Sequence, residues 1–159
     1  MKLLVCAVGR MKLGPERDLA ERYRSRAEAL GRRLLIDGPR LIELPESRAS
    51  SAEARKSEER DKIIEAANDA RLIALDEGGA SLTSRGFADR LMRLRADQTK
   101  AVAFIIGGAD GLDGAFLNRG AEIISLSAMT FPHQIARVLL LEQIYRAATL
   151  AIGHPYHRA

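Results

Sequence analysis

The sequence closes on GHPYHR, residues 153–158, followed by one alanine. Two of its three histidines, His154 and His157, stand here beside Tyr156 and Arg158. Imidazoles exchange protons near neutral pH. A phenol stacks and donates a hydrogen bond, and a guanidinium holds anions. Chain ends ordinarily fray and carry little chemistry. This one directly follows a strongly apolar helical stretch, which predicts that its root is pinned. His154, next to Pro155, is expected to fix the turn into the tail.

Other chemistry-bearing patterns are narrower. Gly9-Arg10-Met11-Lys12-Leu13-Gly14 follows the first apolar run but does not read G-x-G-x-x-G. Pro15 and Glu16 replace the Lys-Ser/Thr of a P-loop, so the usual dinucleotide and nucleoside triphosphate sites are unsupported. His154 and His157 are three apart but lack further ligands nearby, so no metal site is expected. Glycines and small residues instead punctuate the later runs: DEGG at 76–79, GGADG at 107–111 and SAMTFPH at 127–133. Ligands of open α/β sheets sit at the carboxyl ends of strands. Three such loops can form one pocket, with Gly107 and Gly108 allowing close approach to the main chain.

The elements that must carry these loops alternate. Short apolar runs at Leu3–Val8, Arg40–Leu44, Leu72–Leu75, Ala101–Ile106 and Glu122–Leu126 read as strands covered on both faces. Helical patterns separate them. Pro15 opens one, with Leu19, Tyr23, Ala27 and Leu30 on a stripe and many arginines opposite. Acidic Glu16, Asp18, Glu21 and Glu28 are interleaved with those arginines, which favours a solvated face over a phosphate-binding one. Ser50 and Glu53 read as a capping box. Ser81 or Thr83 can cap a helix that turns Phe87, Leu91 and Leu94 inward. A short helix is expected around Ala115–Arg119, and a long one from about Pro132 to Ala151. This order predicts an α/β fold with a mostly parallel sheet and flanking helices. Residues 45–60, PESRASSAEARKSEER, read as a mobile polar segment running into an amphipathic helix.

The last helix is apolar around its whole cylinder, with Ile135, Val138, Leu139, Leu140, Leu141, Ile144, Tyr145 and Ile152. A helix of this kind is buried on all sides. A sheet covers one face only, so a homodimer with this helix in the interface is expected.

The 159 residues favour a single domain over 1–159, and 47% hydrophobic content suffices for a sizeable core. A net charge of +4 and a pI of about 9.6 permit a nucleic-acid partner without requiring one. The one cysteine, Cys6, lies in KLLVCAV and reads as a buried thiol, which suits a reducing compartment. KLLVCAV is too short to span a membrane, and the chain turns polar at Gly9. A soluble, cytoplasmic protein is expected.

IIGGADGL (105–112), LSAMTFPHQIARVLLLEQIYRA (126–147) and HPYHR (154–158) together resemble one family. AVGRMKLGPERDLAERY near the start and LIALDEGGASLTSRGFA in the middle are similar to it as well. It is the group of SPOUT-superfamily methyltransferases that methylate N3 of a pseudouridine in large-subunit (23S) ribosomal RNA. The resemblance spans nearly the whole chain except 45–60. It implies a C-terminal trefoil knot, S-adenosylmethionine as methyl donor, no metal, a homodimer, and action on assembled ribosomes. It places the donor pocket at Leu75, Gly107, Gly108, Leu126, Ser127, Ala128, Met129, Thr130 and Phe131. It places His133, Arg137, Arg146, Tyr156, His157 and Arg158 at or near the RNA. Gly153 stands where members usually carry a side chain such as Asn, which predicts a looser tail hinge.

For that reaction N3 must lose its proton, and a positioned base contributes about 10²- to 10⁴-fold. His157 is the first candidate. Tyr156 can stack on the base, or take the proton if its pKa is lowered. Arg158 and Arg146 can stabilise the anion or hold phosphate, although Glu142 and Arg146 at i,i+4 also fit an ordinary ion pair. Two other readings remain: the same chemistry on another RNA such as a transfer RNA, and a ribosome-binding protein without activity.

Overall fold

The computed structural model describes residues 1–114 and 121–156. The helix expected around Ala115–Arg119, and the candidates His157 and Arg158, lie outside the described residues. Five parallel strands form one sheet in the order β2-β1-β4-β3-β5. They are β1 (Lys2–Val8), β2 (Asp37–Leu44), β3 (Arg71–Ser81), β4 (Ala101–Ile106) and β5 (Glu122–Ser125). Among the described residues four α-helices accompany them: α1 (Pro15–Gly31), α2 (Ala52–Ala67), α3 (Ser84–Ala96) and α4 (His133–Ala151).

The strands read as apolar throughout because each face of the sheet has its own core. Leu3, Val5 and Ala7 of β1 join Val102, Phe104 and Ile106 of β4 under α1, α3 and α4. Cys6 and Val8 join Ala103 and Ile105 under Ile63 and Ala67 of α2. Side chains alternate between faces along a strand, so only a sheet covered twice needs apolar residues at consecutive positions. Helix α4 packs against both α1 and α3. Leu140 and Leu141 are completely buried there, each contributing roughly 1.5–3 kcal/mol. The all-round apolar character of α4 is therefore largely satisfied within one chain. A half-buried stripe remains along Ile135, Leu139, Glu142, Arg146 and Leu150.

Several boundaries differ from the sequence reading, each for a local reason. Strand β3 runs on past Leu75 to Ser81. Its register against β5 slips there, with Leu75 and Ala80 both opposite Ile124. Residues 76–79 thus form an excursion within one strand rather than a loop that ends it. Helix α2 is capped by Ser51, whose hydroxyl accepts from the Ala54 amide at 3.1 Å, not by Ser50. Thr83 caps α3. The arginine-rich α1 is partly self-neutralised: Arg24 pairs with Glu21 at 2.7 Å and Glu28 at 2.8 Å.

Arg137 corrects a functional expectation. A substrate contact was anticipated, yet the side chain is 0% exposed. Its Nη2 donates to the carbonyls of Val8 and Gly9, and its Nη1 pairs with Glu43 Oε1 at 3.1 Å. The same carboxylate oxygen accepts from the Met11 amide at 2.7 Å. Burial lowers the guanidinium's pKa, and the Glu43 and Glu46 carboxylates oppose that shift. A group enclosed in this way joins α4 to the ends of β1 and β2 and does not reach a surface. Removing it strands buried carbonyls and a carboxylate. Arg137→Met is expected to cost about 3–5 kcal/mol, read as a lowered midpoint in urea unfolding.

Candidate active site

The carboxyl ends of three adjacent strands, β4, β3 and β5, open into one cavity of about 700 Å³. Its wall draws on Leu75, Asp76 and Glu77 from β3, the glycine turn after β4, and the segment between β5 and α4. His133 and Ala136 from the first turn of α4 and Lys56 from α2 complete it. Short hydrogen bonds shape these segments. The Ser125 hydroxyl donates to the Ser127 carbonyl at 2.7 Å, and the Ser127 hydroxyl accepts from the Met129 amide at 2.9 Å. Thr130 Oγ1 donates to Glu77 Oε2 at 2.7 Å, tying the β5–α4 segment to the β3 excursion. In the glycine turn, the Gly111 amide donates to the Gly108 carbonyl at 3.1 Å. A β-carbon on Gly107 would stand 2.9 Å from the Gly111 carbonyl carbon, so no larger residue fits without moving the turn.

The tail root lies at the other end of α4. The Gly153 amide donates to the Leu150 carbonyl at 3.3 Å and the His154 amide to that of Thr149 at 2.9 Å, with Gly153 left-handed at φ +66. This is a Schellman cap, in which glycine is the favoured residue. The hinge is therefore closed by Gly153, not loosened by it. His154 Nδ1 then accepts from the Tyr156 amide at 3.1 Å, which holds the turn as expected. Tyr156 folds back onto its own helix. Its ring lies 4.7 Å from that of Tyr145 and 5.2 Å beneath the Arg146 guanidinium. Its hydroxyl donates to Glu142 Oε1 at 3.2 Å. Arg146 is itself engaged with Glu142 at 2.6 and 2.9 Å, the intrahelical pair that the i,i+4 spacing allowed. Burial, contact with Tyr23 and the Glu142 carboxylate push the Tyr156 phenol well above its ordinary pKa. In this structure Tyr156 is a stacked ring and a hydrogen-bond donor, without the lowered pKa that proton acceptance calls for.

Comparison with known proteins now decides the family. The family of predicted SPOUT methyltransferases matches residues 1–157. This chain belongs to that family. It is 52% identical to the ribosomal RNA large subunit methyltransferase H of Rhodopseudomonas palustris (strain TIE-1) and 50% identical to that of Brucella anthropi, each over the full length of both chains. The fold is also that of a solved probable methyltransferase from Bordetella pertussis Tohama I, with a TM-score of 0.53 at 17% identity over 92% of this chain and 95% of that one.

The donor residues that the SPOUT resemblance implied are drawn together by the geometry. Leu75, Gly107, Gly108, Leu126, Ser127, Met129, Thr130 and Phe131 all line the cavity; Ala128 lies in the same segment but off the wall. His133, expected near RNA, lines it as well. Lys56 and Asp110 were missed as site residues. They meet there only because α2 docks on the glycine turn, an approach that local spacing does not encode. Among the described residues no group of three or more His, Cys, Asp or Glu is placed to hold a metal ion. No described helix is long and apolar enough to cross a membrane. Because the tail root depends on a left-handed residue, Gly153→Ala is expected to cost about 1–2 kcal/mol, and Gly153→Asn distinctly less. Thermal melts of both variants check this.

Proposed function

We propose that this protein transfers a methyl group from S-adenosylmethionine to N3 of a pseudouridine in large-subunit ribosomal RNA, on the assembled ribosome. The observation that carries the reading is the coincidence of the cavity with the donor set of the family to which the chain belongs. The names of its full-length relatives support the RNA target. The cavity suits the donor in size, since small-molecule sites measure about 300–1,000 Å³. It suits it in chemistry too. Leu75, Ile106, Leu112, Leu126 and Phe131 offer apolar wall for a purine, the glycine turn offers main-chain groups, and Asp76 and Glu77 offer negative charge. When bound, S-adenosylmethionine supplies an electrophilic methyl group on a cationic sulfur. A wall bearing carboxylates favours such a ligand.

The chain's own groups then divide the work. His157 removes the N3 proton, and Arg158 steadies the negative charge left on the ring. Tyr156 remains protonated and presents its face or its O–H to the base. Arg146 and Glu142 set the position of the Tyr156 ring. Glu142, Arg146 and Tyr156 sit at the end of α4 away from the cavity of their own chain. His133 and Arg146 lie about 20 Å apart along α4, at ~1.5 Å per residue. A second copy that packs on the half-buried stripe of α4 brings one chain's tail to the other's cavity, so the reading includes a homodimer. It also includes the trefoil threading of the C-terminal segment that is usual in the family.

The test is incubation of the purified protein with methyl-labelled S-adenosylmethionine and ribosomes that lack the modification. Label is expected in large-subunit RNA at a pseudouridine. Label only in transfer RNA, or donor binding with no transfer to any RNA, would overturn the reading. Two variants separate the roles. Gly107→Ala is expected to weaken donor binding at least tenfold by displacing the turn, measured calorimetrically. His157→Ala is expected to lower the single-turnover rate by about 10²-fold or more while donor affinity stays within twofold.

A further inference from the structure

Residues 45–60, read from sequence as a mobile segment running into a helix, do enter α2 at Ala52. They grip the glycine turn that walls the cavity. Arg55 reaches across 55 positions of sequence to Asp110 in a bidentate pair, Nε to Oδ2 at 2.6 Å and Nη2 to Oδ1 at 3.0 Å. Its third nitrogen, Nη1, donates to the Ala49 carbonyl at 3.1 Å, which fixes the plane of the fork. One helical turn on, Arg60 pairs with Asp113 at 3.4 Å. Between them lies Glu59, a buried carboxylate that accepts from the Ser47 amide at 2.9 Å. Its other oxygen, Oε2, stands 3.1 Å from where a β-carbon of Gly108 would be. Lys56, on the same turn of α2, lines the cavity directly.

The tip of the turn stands in solvent. Ala109 and Gly111 are exposed, and the apolar anchor, Leu112, follows behind them. Exposed ion pairs ordinarily contribute little, because both side chains lose freedom and water screens the charges. A bidentate arginine fork with a third fixed donor is the exception in geometry, since each further bond is made by an already ordered group. Holding a binding loop in its bound shape raises affinity by removing the cost of ordering it.

We infer that Arg55 and Asp110 are positioning residues of the donor site: their ion pair latches the glycine turn in its ligand-ready shape and sets donor affinity without touching the reacting atoms. This rests on the reading of the cavity as the S-adenosylmethionine site. The experiment is calorimetric titration of the full-length protein with S-adenosylmethionine, for the unsubstituted chain, Arg55→Met, Asp110→Asn, the double variant and Arg55→Lys. Each single removal is expected to raise the donor Kd about tenfold. The double variant should be no worse than the weaker single, because one interaction is lost in all three. Arg55→Lys should recover part of the loss. The KM for the donor should rise while kcat at saturating donor changes less than twofold, and melting temperatures should stay within a few degrees. Donor affinities within twofold of the unsubstituted chain, or losses that multiply in the double variant, would overturn the latch alone. Absence of donor binding by the unsubstituted protein would overturn the donor reading itself, and the latch with it.

Discussion

Everything at the active end of this fold hangs on where the first turn of α4 sits, and Arg137 fixes that turn. One guanidinium donates to the carbonyls of Val8 and Gly9 and pairs with Glu43. It thereby joins the last helix to the ends of the first two strands, 94 and more positions earlier in sequence. A buried, incompletely satisfied arginine is a costly device, and its Nε has no hydrogen-bond partner among the described residues. Replacing both partners of such a pair together by apolar residues often matches it in stability, whereas removing one strands the other. What apolar residues do not reproduce is direction. A forked donor accepts only one placement of the helix, and Ala136, its neighbour in sequence, is cavity wall. The segment between β5 and α4, stretched from Ser125 to that turn, inherits its shape from the joint.

From there the two halves of the candidate chemistry separate along one helix. The amino end of α4 closes the cavity, and the carboxyl end carries Glu142, Arg146 and the folded-back Tyr156. The Schellman cap at Gly153 turns the chain sharply enough for Tyr156 to meet Tyr145. The tail is thus rigid at its root through ordinary helix-capping chemistry. A pre-ordered root lowers the entropy lost when the remaining residues engage a ligand. The same geometry underlies the proposed pairing of two copies, since a rigid helix cannot bring its own two ends together.

The parts of this arrangement that were legible in sequence are those set by local rules. Strands β1, β4 and β5, the Pro15 helix start, the Thr83 cap and the length of α4 follow from apolar runs and end signals. Strand β2 begins earlier than its apolar run because Gly38 and Pro39 mask the start. Strand β3 hid its continuation because Asp76-Glu77-Gly78-Gly79 looks like a turn, and only pairing with β5 shows that the strand resumes at Ala80. Long-range polar partners were not legible at all. Nothing around Arg55 announces Asp110, and nothing around Arg137 announces Val8. The spacing of His133 and Arg137 correctly puts them on one side of the helix, but which side faces the sheet is decided by packing. The outcome is one residue on the cavity wall and the other sealed beneath it.

Charge is the last feature that the fold sorts. The chain is basic overall, with Arg10, Lys12, Arg17, Arg22, Arg32 and Arg33 exposed. Its cavity carries the opposite bias, with Asp76 and Glu77 against Lys56. A methyl donor is a cation and an RNA is a polyanion, so one uniform potential would attract the first and repel the second, or the reverse. A basic exterior raises the rate of encounter with RNA over distances set by ionic strength, while short-range carboxylates act inside the cavity, where water screens them less. Neutralising Asp110 with Arg55 is consistent with this division. It keeps the glycine turn from adding a free negative charge at the rim, where the incoming polyanion would meet it, and spends that charge on holding the wall in place.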